Sequence, residues 1–123
     1  MARGERQRLA LLVRRGPYRQ RAARADLDVA LAAAALDFDL DLYFLDAALL
    51  QLAAGRDGAA ALLPAGYRAW GALPDLTRLR AYAEREWLER CARHSIELLL
   101  PVQGLDANEM TVRWRRCRHA LLL

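Results

Sequence analysis

Residues 43–52 read Tyr43-Phe44-Leu45-Asp46-Ala47-Ala48-Leu49-Leu50-Gln51-Leu52. Two regimes meet here. An apolar, aromatic run of strand type stops at a carboxylate, and a short helix-like segment follows, ending in Gln51-Leu52. In open α/β sheets the carboxyl end of a strand is where ligands and partners sit. Just upstream, Asp39, Asp41 and Tyr43 alternate with Leu40, Leu42 and Phe44, the period-two pattern of a strand with unequal faces. A strand over 39–45 is therefore expected, with Asp37, Asp39 and Asp41 forming a solvated start rather than a general-acid pair.

Working outward, Leu27, Ala30, Leu31 and Ala34 recur at helical spacing, and Asp26 is read as the helix N-cap after an arginine-rich loop running to Arg24. Arg8 to Val13 reads as a short buried strand broken by Gly16-Pro17. Downstream, Gly55-Arg56-Asp57-Gly58 reads as a loop, and Pro64 and Gly66 keep the next stretch irregular. Tyr67 to Leu73 reads as a short helix stopped by Pro74, and Thr77 to Ala83 as a third strand. Glu84 to His94 is a clear helix: Glu86–Arg90 and Glu89–Arg93 stand at i,i+4, while Trp87, Leu88 and Cys91 share its apolar side. Ile96 to Val102 reads as the fourth strand, with Pro101 near its end. Asp106 with Glu109 resembles a capping box opening a last helix that carries Met110, Trp114 and Cys117 on one side, and Ala120 to Leu123 is a terminal strand. Strands alternating with helices give an α/β fold: a single three-layer α/β/α domain with about five mainly parallel strands. Residues 1–7 are expected to be a flexible basic N-terminus and 8–123 the domain.

The chain has 123 residues, the size of one domain, and 55% of them are apolar, enough to build a core without staples. Its net charge is +4, and every one of its 19 basic residues is Arg. Clusters at Arg3, Arg6, Arg8, Arg14 and Arg15 and at Arg113, Arg115, Arg116 and Arg118 are read as solvated surface. No aromatic-interleaved RNA motif accompanies them, so direct nucleic-acid contact is not expected. No apolar run approaches a membrane span, and the segment Leu9–Val13 is too short for a signal peptide, which suggests a cytoplasmic protein with reduced thiols.

Sites of chemistry are sparse. Cys91 and Cys117, each beside a Trp on an apolar helix face, read as two buried small hydrophobes. The alternative is a reactive Cys117 activated by Arg116 and Arg118. No CxxC pair occurs, and His94 and His119 have no partners at ligand spacing, so no metal site is expected. No Walker loop or GxGxxG follows the first strand, and the one serine, Ser95, sits in no nucleophile elbow.

Several segments together resemble one family. Tyr43 to Leu52 resembles the Phe-Phe-x-Asp-Gly-Val-x-Gln-Leu pattern of the TusC/DsrF subunits, members of the DsrE/DsrF-like sulfur-relay proteins. Arg15-Gly16-Pro17-Tyr18 is similar to their turn after the first strand, Leu27 to Phe38 to their first helix, and Glu84 to Arg90 to their Leu-x-x-Arg helix. Two departures stand out: Ala47-Ala48 replaces Gly-Val, and Arg19 replaces the Gly after Pro-Tyr. A positive φ demanded at Ala47 would be strained.

The resemblance implies a DsrE/DsrF-like fold and a non-catalytic subunit of a cytoplasmic, TusBCD-like heterohexamer that passes persulfide sulfur toward the wobble 2-thiouridine of tRNA. Its partners would be TusB/DsrH-like and TusD/DsrE-like paralogues and, indirectly, a TusE/DsrC-like acceptor, with no cofactor. The compact length and the lack of an acidic insertion favour this pathway over a DsrEFH-type role in sulfur oxidation. The catalytic cysteine of the TusD/DsrE paralogue lies near the end of the third strand, where this chain has Ala81-Tyr82-Ala83-Glu84, without a nucleophile. A lone DsrE-like sulfurtransferase using Cys117 is the enzymatic alternative, and a small RNA-binding module a third. Asp46, Leu49, Leu50, Gln51 and Leu52 are the candidate interface. Three leucines on one short helix exceed what a single core takes up, the alternative being that Leu49 and Leu52 pack inward and Leu50 alone is exposed; Asp46 would cap the segment, and Gln51 would offer side-chain hydrogen bonds at the contact.

Overall fold

The computed structural model describes residues 7–14, 20–54 and 67–123. Arg15 to Tyr18, the Gly55–Gly58 loop, Pro64, Gly66 and nearly all of the basic N-terminus lie outside them. Five strands, β1 (Arg8–Val13), β2 (Asp39–Phe44), β3 (Leu79–Glu84), β4 (Gln103–Leu105) and β5 (His119–Leu122), form one sheet in the order β4-β3-β2-β1-β5. Every pairing is parallel, and β1 runs beside β2 with Arg8 opposite Asp39 and Val13 opposite Phe44. The expected α/β class and strand number hold.

The central strand β2 is buried at all six positions. That corrects the expected solvated start: Asp39 and Asp41 are enclosed because β2 has a strand on each side and a helical layer on each face. Asp37 alone is exposed. One layer contains α1 (Gln20–Ala35), the 3-10 segments Asp46–Leu52 and Tyr67–Ala72, α2 (Leu73–Leu76) and α3 (Arg85–Arg93). Its core joins Leu11, Val13, Leu27, Leu42, Phe44, Leu49, Leu52 and Trp70, with Phe44 and Trp70 edge to face at 5.4 Å. The opposite layer is α4 (Ala107–Arg116), which lies over Ala10, Leu12, Tyr43 and Tyr82 through Met110, with Trp114 and Cys117 packed at the margin. β2's alternation is thus real but divides two buried faces, one aliphatic and one polar-aromatic.

Local chemistry explains the boundaries, including those misread. α1 begins at Gln20, not at Asp26, because Gln20-Arg21-Ala22-Ala23-Arg24-Ala25 is composed of strong helix formers. Asp26 consequently lies inside the helix and is buried. α1 and α3 end in the same motif. Asp37 (φ 66) and Ser95 (φ 53) adopt the left-handed conformation, Phe38 and Ile96 donate back to the carbonyls of Ala33 and Cys91, and Asp37 and Ser95 donate to Ala34 and Ala92. Pro74 starts α2 rather than stopping a helix, sitting in the first turn where no amide donor is needed.

Ile96 to Val102 is not a strand. Only Leu98 bridges, antiparallel to Ala53, and β4 begins after Pro101 and Val102. The missing amide of Pro101 and the need for α3 to lie close to the sheet delay the pairing. Gly104 permits that approach: a Cβ there would stand 3.1 Å from Leu88 Cδ1 and 3.3 Å from Arg85 Cα. Asp106 caps α4 as expected, its carboxylate accepting from the Glu109 amide at 2.7 Å.

Candidate functional site

The carboxyl ends of the strands converge on one edge of the sheet. β2 leaves it at Leu45, whose amide donates to the Val13 carbonyl, so the turn is anchored to β1. The positive φ falls on Asp46 (φ 50), not on Ala47. Asp tolerates the left-handed region better than most residues, so the replacement of the family's glycine costs little. Asp46 does not cap the 3-10 segment, since no side-chain cap bond is made there. Its backbone N–H instead donates to Glu84 Oε1 at 3.0 Å, which ties the end of β2 to the end of β3. A groove of about 560 Å³ opens beside this contact, walled by Leu12, Leu45, Met110, Trp114 and Leu122, with Glu84 as its one carboxylate and no thiol among its lining residues.

The candidate interface changes when the side chains are placed. Leu49 and Leu52 are fully buried in the chain's own core, and Gln51 is 3% exposed. Leu50 is half-buried against that core, and Asp46 is exposed. The tight 3-10 winding turns Ala48, Leu49, Gln51 and Leu52 inward together, so a single core takes up two leucines and the amide at once. Of the five residues, Asp46 and part of Leu50 are left at the surface. Introducing a charge at Leu49 would unfold the subunit rather than release a partner.

Gln51 has an inward role that the sequence reading missed. Its Nε2 donates to Asp26 Oδ2 at 3.2 Å, a buried bond joining the 3-10 segment to α1. The signal was available in the helix-forming composition of 20–25, which moves Asp26 away from the cap.

A second cluster lies under α4. Arg8 pairs with Asp41 at 2.7 Å, Tyr43 stacks on Tyr82 with ring centroids 5.1 Å apart, and the Arg113 guanidinium lies 5.0 Å from the Tyr82 ring centre. Cys117 stands just past the end of α4, half-buried rather than enclosed, with Sγ 3.8 Å from Asp41 Oδ2. Burial pushes its thiol above the ordinary value, and the adjacent Asp41 carboxylate adds to the effect more than Arg8 offsets it. Arg116 and Arg118, the activating neighbours offered by the sequence, are not among its causes, which are burial first and the Asp41 carboxylate second. Burial likewise raises the Tyr43 phenol, followed by repulsion from Cys117 and Asp41. Cys91 is buried in the aliphatic layer.

Residues 7–85 match the family model described as the DsrE/DsrF-like family. This chain belongs to the DsrE/DsrF-like family. Membership carries a general role in sulfur relay. The match spans β1 through β3 and so contains both Asp46 and Glu84. Among solved structures, the chain is similar to the ychN protein from E. coli, with a TM-score of 0.75 at 13% identity, over 95% of this chain and 99% of that one. At that identity the likeness shows the fold. No curated protein matches the sequence. No helix among the described residues is long and apolar enough to cross a membrane.

Proposed function

We propose that this DsrE/DsrF-like chain is a non-catalytic subunit of a cytoplasmic sulfur-relay complex of the TusBCD type, supporting persulfide transfer toward wobble 2-thiouridine in tRNA. The observation that carries the reading is Glu84. It occupies the end of β3, where the resemblance places the nucleophile of the catalytic paralogue, and its carboxylate accepts the Asp46 amide. A carboxylate cannot carry a persulfide. Its bond to Asp46 makes it a brace between two strand ends, and Asp46 and Leu50 are the parts of the family segment within a paralogue's reach. The raised thiol of Cys117 weighs against a lone sulfurtransferase, because the thiolate is the attacking species.

The test is genetic and chemical together. Cells lacking the gene should lose tRNA 2-thiouridine and regain it from a plasmid carrying Cys91→Ala with Cys117→Ala, and the tagged protein should retain two small paralogues on purification. Unchanged thiolation in the deletion strain would remove the tRNA pathway and favour sulfur oxidation. Failure of the cysteine-free variant, folded and assembled, would make the chain a sulfur carrier.

A further inference from the structure

β5 closes the sheet on one side, and no strand pairs with its outer edge among the described residues. Natural edge strands are usually protected by inward charges, proline, or a covering element. Among the described residues none of these protects Ala120, Leu121 and Leu122, and all of β5 is exposed. Register assigns its side chains to both faces: Ala120 and Leu122 lie beside Ala10 and Leu12 on the α4 side, His119 and Leu121 beside Leu9 and Leu11 on the α1 side. Leu121 is 46% exposed and Leu122 61%.

Each face of the edge continues into an apolar groove. On the α1 side a groove of about 630 Å³ runs past Val29, Ala32, Leu36 and Phe38 to Leu121, and Leu36 on its wall is 72% exposed. On the α4 side the groove walled by Trp114 and Met110 reaches Leu122. An added strand would find backbone partners along the edge and an apolar shelf above and below it.

The charge around the edge selects the occupant. Arg118 lines the α1-side groove, which has no carboxylate among its lining residues. Arg115 and Arg116 close α4 immediately before β5, and the Arg14 side chain is held at the far end by the Leu123 carbonyl at 2.9 Å. Two copies pairing antiparallel through β5 would bring Arg118 of one beside Arg14 of the other, a like-charge contact that disfavours self-association. We propose that the β5 edge is a strand-addition site for an extended, apolar segment of another protein flanked by acidic residues. Edge geometry and charge carry this site independently of the sulfur-relay reading.

The test uses the full chain and a labelled peptide, Glu-Glu-Val-Leu-Val-Leu-Glu-Glu, followed by fluorescence anisotropy. Saturable binding is expected, with affinity falling about tenfold or more in Leu121→Asp and in Arg118→Glu, each a loss of roughly 1.4 kcal/mol. Both positions are exposed, so the variants should keep the parent circular dichroism and melting temperature. A peptide N-methylated at alternate amides should not bind, which separates strand pairing from apolar adhesion, and a Lys-flanked peptide should bind more weakly. The proposal fails if the parent does not bind, or if the methylated or Lys-flanked peptide binds equally well. It also fails if sedimentation shows a self-dimer that Leu121→Asp dissolves.

Discussion

Removing the Gln51 amide should loosen the tie between the family's signature segment and α1. In Gln51→Leu the Asp26 carboxylate, 1% exposed, loses a buried donor at 3.2 Å while the side-chain volume is roughly kept. Removing one partner of a buried hydrogen bond costs about 1–3 kcal/mol, so a loss of about 2 kcal/mol is expected. Unfolding entropy of roughly 2.1 cal/mol/K per residue gives about 0.26 kcal/mol/K for a chain this long, so the midpoint should fall by about 8 °C. Urea titration followed by the fluorescence of buried Trp70 reads the same quantity at room temperature. Asp26→Leu alone should cost a similar amount, since it removes the same buried bond from the other side. The double variant, Asp26→Leu with Gln51→Leu, should lose well under the sum of the two single losses, with a coupling of about 1–2 kcal/mol. Strict additivity, within about 0.3 kcal/mol, would refute the claim that the bond joins the two elements.

Other expectations are independent of that bond. Asp41→Asn removes the negative charge that helps hold up the Cys117 thiol, so iodoacetamide should alkylate Cys117 faster than in the parent at mildly alkaline pH; an unchanged or slower rate would contradict the pairing. Cys117 and Tyr43 both titrate higher when folded than when unfolded, so their contribution is complete below the ordinary thiol and phenol values and is lost as pH rises beyond them. Alkaline urea titrations should show a fall in stability that Cys117→Ala with Tyr43→Phe flattens. Asp106→Ala deletes the α4 cap and should lower the urea midpoint in the same assay. Ser95→Gly relieves a left-handed serine and should raise stability by roughly 0.5 kcal/mol, less than the full conformational penalty because glycine also frees the unfolded chain.

The sequence by itself determined the class and most of the element list. The apolar run at 9–13 and the alternation at 39–44 are too short for helices and too regular for loops, and Asp106 with Glu109 declares a helix start through local chemistry that tertiary structure does not alter. The segment 43–52, together with the turn and helix segments around it, pointed to the family without any coordinates. Tertiary structure decided where the polar groups of those segments went. Alternation in β2 gave two unequal faces, but periodicity cannot say that α4 covers the polar one, so Asp39 and Asp41 looked solvated and are buried. Counting leucines in 46–52 suggests an excess for a partner; the 3-10 winding instead brings Leu49, Gln51 and Leu52 inward together. Arg116 and Arg118 flank Cys117 in the chain, yet Asp41, 76 positions away, is its acid neighbour. Charge adjacency along a chain and charge adjacency in space diverge wherever a helix ends over a sheet. Burial, which only the assembled layers establish, then decides which neighbour governs.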